Sequence, residues 1–208
     1  TGGLIKTDNM FSGWNTAANG SGTNYSPGAT FTMNSTAVVL YANWTPVALI
    51  VAGTIYTDEA KTVPIAAGKN VSLSVNGAAV VSGVTLTGGT FSFGLPVAPN
   101  PNDVLLVFLD NEVEKASLVT ITDGVTNLTG GNQLKLVTGK IILEHQAGAS
   151  ITNANLDVVD GVDPQDDDGF TIAAGNATFT SSRELWISSG KTYAPGGAAA
   201  TGDIRISG

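Results

Sequence analysis

The 208-residue chain has no cysteine. That excludes disulfides, thiolate catalysis and cysteine metal sites, and it fits exported bacterial proteins, many of which avoid the residue. Charge is also scarce, at 12% of residues. The 9 Lys and Arg are scattered against 17 Asp and Glu, for a net charge of −8. No basic stripe exists to neutralise phosphates, so nucleic-acid binding is not expected. There is one histidine, His145. With no second histidine or cysteine it cannot anchor a zinc site. No Gly-x-Ser-x-Gly elbow accompanies it, so a serine hydrolase is not expected either. The longest apolar run, Val47 to Ala52, is far too short to span a bilayer, and membrane insertion is not expected. No signal peptide is recognisable, which leads us to expect a mature or excised segment.

What is present points to β-structure. Apolar residues make up 42% and recur in short strand-like runs, which does not fit disorder. The 26 glycines fall mostly between those runs. A chain of this length holds one large β domain or two to three small ones. No stretch reads as a convincing helix; residues 112–117 offer one turn at most.

Residues 11–45 read FSGWNTAANGSGTNYSPGATFTMNSTAVVLYANWT. Trp14 and Trp44 bracket the tight-turn pairs Asn19-Gly20, Ser21-Gly22 and Pro27-Gly28. Thr30 to Met33 and Val38 to Tyr41 read as strands, with Phe31/Met33 and Val39/Tyr41 at period two. The pattern F-x-G-W-N-T-x-A-x-G-S-G-T-x-Y-x-P-G-x-T-F-T-M, then V-x-L-Y-A-x-W, resembles the internalin-type B repeat, also called the Listeria–Bacteroides repeat. The resemblance implies a small β-grasp-like module over residues 1–45. Such modules occur in arrays on secreted and cell-wall proteins of bacteria, serve surface display and adhesion, and carry no catalytic residues. Members have one or two further strands before this point, whereas only Thr1 to Met10 precede Phe11. Either the repeat is cut, or the missing strand comes from elsewhere.

Pro46 marks an expected boundary. Over residues 47–130, short strands are expected at 49–56, 63–66, 70–75, 80–86, 90–93, 104–109 and 116–122. Val71, Leu73 and Val75 share one face, and Asn76-Gly77 is the strongest hairpin signal in the chain. About ten-residue spacing is the signature of a β-sandwich. The segments AGTIYTDE, PIAAGKNVSLSV and GTFSFGLP are similar to prealbumin-like, or carboxypeptidase-regulatory-type, sandwiches, which implies a spacer or stalk role. Residues 131–208 form a Gly-rich third region, solenoid-like or a second small sandwich. There Leu134 to Val137 and Lys140 to Glu144 are expected to pair across Thr138-Gly139. Ser21 to Gly28 and Ser189 to Gly196 share one pattern, read as a recurrent turn into a strand.

Few residues carry chemistry. Asp157, Asp160, Asp163, Asp166, Asp167 and Asp168, closed by Gly169, form an acidic loop. It is either solvated or, through Asp160, Asp163, Asp166 and Asp168, a calcium site, although the spacing is not that of an EF-hand. Glu144, beside His145, is read as facing the opposite side of a strand. Asn43, Asn127 and Asn176 head chance-level sequons. Lys140, Lys69 and Asn70 are isopeptide candidates by type alone. No catalytic set emerges, so an enzyme is not expected. The principal expectation is a structural segment of a bacterial extracellular surface or filament-forming protein, whose partners are copies of itself or adjacent repeats. Phe31, Met33, Val39 and Tyr41 would border an open edge, and the strand carrying Ile204 and Ile206 would be available as a donor. The rival is an adhesin module in which Trp186 and Tyr193 stack on sugars from one flat surface.

Overall fold

The computed structural model describes residues 4–7, 9–33, 37–146, 150–162, 168–180, 182–196 and 199–206. The protein is all-β, with strands distributed over several sheets and, among the described residues, one short α-helix. The chain divides into two compact units: Thr1–Leu49 with Gly94–Val97, and Ile50–Phe93 with Ala98–Gly208.

The first unit carries β1 (Asn9–Asn15), β2 (Asn24–Tyr25) and β3 (Tyr41–Pro46) in the order β2-β1-β3, both pairings antiparallel. A bulge between Phe11 and Gly13 interrupts the β1–β3 register. It requires glycine: Gly13 sits at φ 134°, and a Cβ there would lie 2.3 Å from the Tyr25 carbonyl oxygen. The bulge also resets the alternation of side chains. Phe11 therefore meets both Trp14 (5.1 Å, edge-on) and Trp44 (5.7 Å, edge-on) in one aromatic cluster. Asn15 is fully buried and organises the turn that follows. Its Nδ2 donates to the Gly20 and Gly22 carbonyls and to Asn24 Oδ1, while its Oδ1 accepts from the Ala17 and Gly22 amides. The glycine, tryptophan and asparagine of the G-W-N triplet thus each have a separate structural task.

Two expected strands do not form here. Residues 26–33 and 37–40 are irregular, and the third strand starts only at Tyr41. Phe31 packs its ring on Tyr25 at 5.6 Å, while Val38 and Val39 stay exposed. Period-two alternation makes a strand only where a neighbouring edge supplies hydrogen bonds. Pro46 is the last residue of β3, opposite Asn9.

The second unit holds most of β4 (Leu49–Tyr56), then β5 (Asn70–Val75), β6 (Val81–Val84), the start of β7 (Thr90–Leu95), β8 (Val104–Leu109) and β9 (Ser117–Ile121). After a 3-10 turn come β10 (Leu134–Val137), β11 (Lys140–His145), α1 (Asn153–Val159), β12 (Phe170–Ala173), β13 (Asn176–Phe179), β14 (Glu184–Ile187), β15 (Ala200–Thr201) and β16 (Asp203–Ile206). The largest sheet runs β16-β14-β11-β9-β8-β5-β6. From β6 to β9 it is antiparallel; from β9 through β11 and β14 to β16 it is parallel. Smaller sheets run β10-β4-β7 and β12-β13-β15.

The hairpin expected at Asn76-Gly77 is present. Both residues have positive φ (49° and 70°), and the Ala78 amide closes the turn onto the Val75 carbonyl at 3.0 Å. The hairpin expected across Thr138-Gly139 is not. Lys140 to His145 pairs in parallel with β9 and β14, while Leu134 to Val137 pairs in parallel with β4 in another sheet. Gly139, at φ 75°, is a corner between sheets. Parallel neighbours cannot be joined by a tight turn, so the chain leaves one sheet, crosses another and returns one strand further on. This winding runs straight through the expected division at residue 130.

Alternate residues of the largest sheet, among them Leu106, Phe108, Val119, Ile141, Leu143 and Leu185, build a core closed by Leu156 and Val159 of α1 and by Phe170 and Phe179. Every residue of β8 and β9 is buried, which accounts for the unbroken apolar run VLLVFL. Ser72 and Ser74 are buried too; Ser72 Oγ donates to Asp110 Oδ2 at 2.6 Å. Helix α1 is a further correction. Thr152 and Asn155 form a reciprocal capping box at its start, and Leu156 and Val159 face the core. Its Asn-rich sequence, NANLDVV, resembles turn composition and hides the signal.

Candidate functional site

The parallel register brings three strand ends together. Ile121 of β9 lies opposite His145 of β11, and Leu143 lies opposite Ile187 of β14. The end of β11, the residues that follow these strands and the turn before β10 line one cleft of about 440 Å³, with Asp123, Thr126, Gly131, Asn132, Gln133, Glu144, His145, Gln146 and Lys191 around it. Every lining side chain among the described residues is polar.

Each is set by local turn chemistry. Asp123 Oδ1 accepts from the Thr126 amide (2.8 Å) and the Val125 amide (3.0 Å). Bonds from Thr126 and Val125 hold its carboxyl below the ordinary aspartate value. Gln146 extends the ladder, its amide N–H donating to Ile121 O at 2.8 Å. Its Nε2 donates to Thr126 O at 3.4 Å, while its Oε1 is buried with no hydrogen-bond partner. The turn after β14 returns Lys191, whose Nζ donates to His145 O at 2.8 Å. His145 Nε2 accepts from the Thr192 amide at 3.4 Å, and burial together with Lys191 pushes the imidazole pKa down. Glu144 Oε2 accepts only a long bond, 3.5 Å, from Ser188 Oγ. Burial pushes its carboxyl pKa up, with Lys191 acting in the opposite direction. Glu144 and His145, expected on opposite sides of a strand, both line this cleft because β11 ends at His145 and the alternation ends with it.

The other residues singled out in the sequence lie elsewhere. Trp186 is buried, at 7% exposure, with Lys140 Nζ 4.7 Å above its ring. Tyr193 is half-buried; its hydroxyl donates to Asn153 Oδ1, its ring meets Phe179 edge-on at 6.1 Å, and burial pushes its pKa up to about 12. The pair forms no flat exposed platform, because both rings are used in packing. Asp160 caps α1 and accepts from the Ile172 amide at 2.9 Å. Asp168 is fully buried and accepts from the Phe170 amide at 3.4 Å. Asp163 and Asp166 lie outside the described residues. Among the described residues no three His, Cys, Asp or Glu side chains gather closely enough to hold a metal ion. Lys140 pairs with Glu59 (2.7 Å) and with Glu184, and Lys69 with Glu112 (3.2 Å) and Glu114 (2.8 Å). Both ammonium groups face carboxylates instead of the asparagine amide an isopeptide bond needs.

Of the expected edge residues, Tyr41 opens β3, whereas Phe31, Met33 and Val39 belong to no strand. Ile204 and Ile206 sit in β16, which pairs in parallel with β14 of its own chain opposite Leu185 and Ile187. That strand is engaged and is not a free donor.

No family model and no solved structure matches the chain. A stretch of 41 residues, 20% of the chain, is 51% identical to part of a protein of Evansella cellulosilytica named "Putative Gly-rich membrane protein". The match spans 5% of that relative's length. Among the described residues no helix is long and apolar enough to cross a membrane.

Proposed function

We propose that the chain is a non-catalytic structural segment of a bacterial extracellular surface protein, and that it associates through strand contacts made by its first, B-repeat-like unit. One observation carries this reading: β3 ends its sheet, so its outer backbone edge has no strand partner among the described residues. Tyr41, the first residue of that strand, is 40% exposed, and Val39 (60%) and Met33 (64%), in the segment leading into it, are exposed apolar residues too. An open edge flanked by apolar groups is a template for strand addition, which supplies main-chain hydrogen bonds and apolar cover together. The partner is a second copy or a neighbouring repeat of a longer protein, and repetition of a head-to-tail contact extends into a filament. The partial match to a much longer protein with a membrane-protein name agrees with a small module in a large cell-surface chain.

Sedimentation velocity over a rising concentration series tests the reading. The wild-type chain should associate, and Val39→Lys/Tyr41→Lys, which places charge on exposed positions, should remain monomeric with an unchanged circular dichroism spectrum. A wild-type chain that is monomeric at every concentration would overturn the proposal.

A further inference from the structure

We propose that the polar cleft at the ends of β9, β11 and β14 binds a neutral, hydroxyl-rich ligand, a saccharide. The cleft holds unmet hydrogen-bond capacity. Gln146 Oε1 is buried without a partner, and the long Ser188 contact leaves the Glu144 carboxylate with one weak donor. Exchanging the Gln146 amide atoms would not help, since it would set two acceptors against each other at Thr126 O. Buried acceptors left unmet are costly, and water or a ligand must supply the missing donors. One buried, unmet acceptor on Gln146 and, two residues before it, the weakly bonded Glu144 carboxylate line the same concavity and make a place for a molecule carrying several O–H groups.

Charge narrows the class. Lys191 lines the cleft and disfavours a cation, while Asp123 and Glu144 disfavour an anion. The amides of Asn132, Gln133 and Gln146 and the Thr126 hydroxyl both donate and accept, as sugar hydroxyls do. The volume, about 440 Å³, lies within the range of small-molecule sites. This site shares no residue with the edge of β3, so it stands or falls independently of strand-mediated assembly.

The test uses the full 208-residue chain, ¹⁵N-labelled and titrated separately with cellobiose, xylobiose, maltotriose and N,N′-diacetylchitobiose. At least one sugar should give saturable amide shifts confined to residues 123–126, 131–133, 144–146 and 188–192. Glu144→Gln and Gln146→Met should each weaken that binding about tenfold, the scale of one buried hydrogen bond. No saturable shift with any of the four sugars, shifts elsewhere in the chain, or unchanged affinity in both variants would overturn the inference. So would calcium chloride moving these amides where the sugars do not. The wild-type map decides the question even if a variant fails to fold.

Discussion

The two units place their apolar residues in opposite ways. In the first, the aromatic residues Phe11, Trp14, Trp44, Tyr25 and Phe31 are only half-buried, and Leu4, Ile5, Met10, Met33, Val39 and Tyr41 are exposed. In the second, whole strands such as VLLVFL and SLVTI have every residue buried. Three strands in one thin sheet cannot cover their own faces, whereas stacked sheets cover each other. The second unit therefore has the means to be stable by itself. The first relies on turn chemistry and a few aromatic contacts, and it retains an edge on which a partner strand would complete it.

If that contrast is right, the largest loss should come from the dense core. Phe108 is fully buried among Leu106, Ile141 and Phe170. Phe108→Ala should cost about 3–5 kcal/mol in denaturant unfolding followed by near-ultraviolet circular dichroism. A loss below about 1 kcal/mol would mean that the core is loosely packed.

The next effect belongs to the first unit and comes from backbone conformation instead of burial. Gly13→Ala places a Cβ where the Tyr25 carbonyl oxygen lies 2.3 Å away, at a φ that alanine rarely adopts. It should cost about 2 kcal/mol and act on the unfolding transition reported by Trp14 and Trp44 fluorescence. An equal loss in the transition that Phe108→Ala affects would mean that the units unfold as one, and the comparison would fail.

The smallest effect concerns the cleft. Burial raises the Glu144 pKa above its ordinary value, so the folded state holds this proton more tightly than the unfolded state does. Stability from this group is fully present below the ordinary glutamate range, near 4.3, and is lost as pH rises through the folded value. Glu144→Gln removes the titration. It should flatten that part of the pH–stability curve and give, at neutral pH, a gain smaller than either loss above. An unchanged slope between pH 4 and 7 would show that the carboxyl is well solvated.

Much of this fold is legible in local sequence because local physics dictates it. Asn76-Gly77 has the positive φ angles of its hairpin turn, and most of the strands from 49 to 121 fall where apolar and β-branched runs place them. The runs at 30–33 and 38–41 mislead because alternation alone supplies no partner edge. Helix α1 is missed because its capping box uses Thr152 and Asn155 in a stretch that reads as a turn.

The sequence by itself determined that this is an all-β protein with glycine at its corners and an aromatic, turn-dense first unit, since those properties depend on residues close together in the chain. Only the tertiary structure decided that Leu134 to Val137 and Lys140 to His145 belong to different sheets, that Trp186 is a packing residue, and that Asp123, Glu144, Gln146 and Lys191 share a cleft. The reason is the parallel winding. It aligns strand ends that lie far apart in sequence, through connections that no local periodicity encodes.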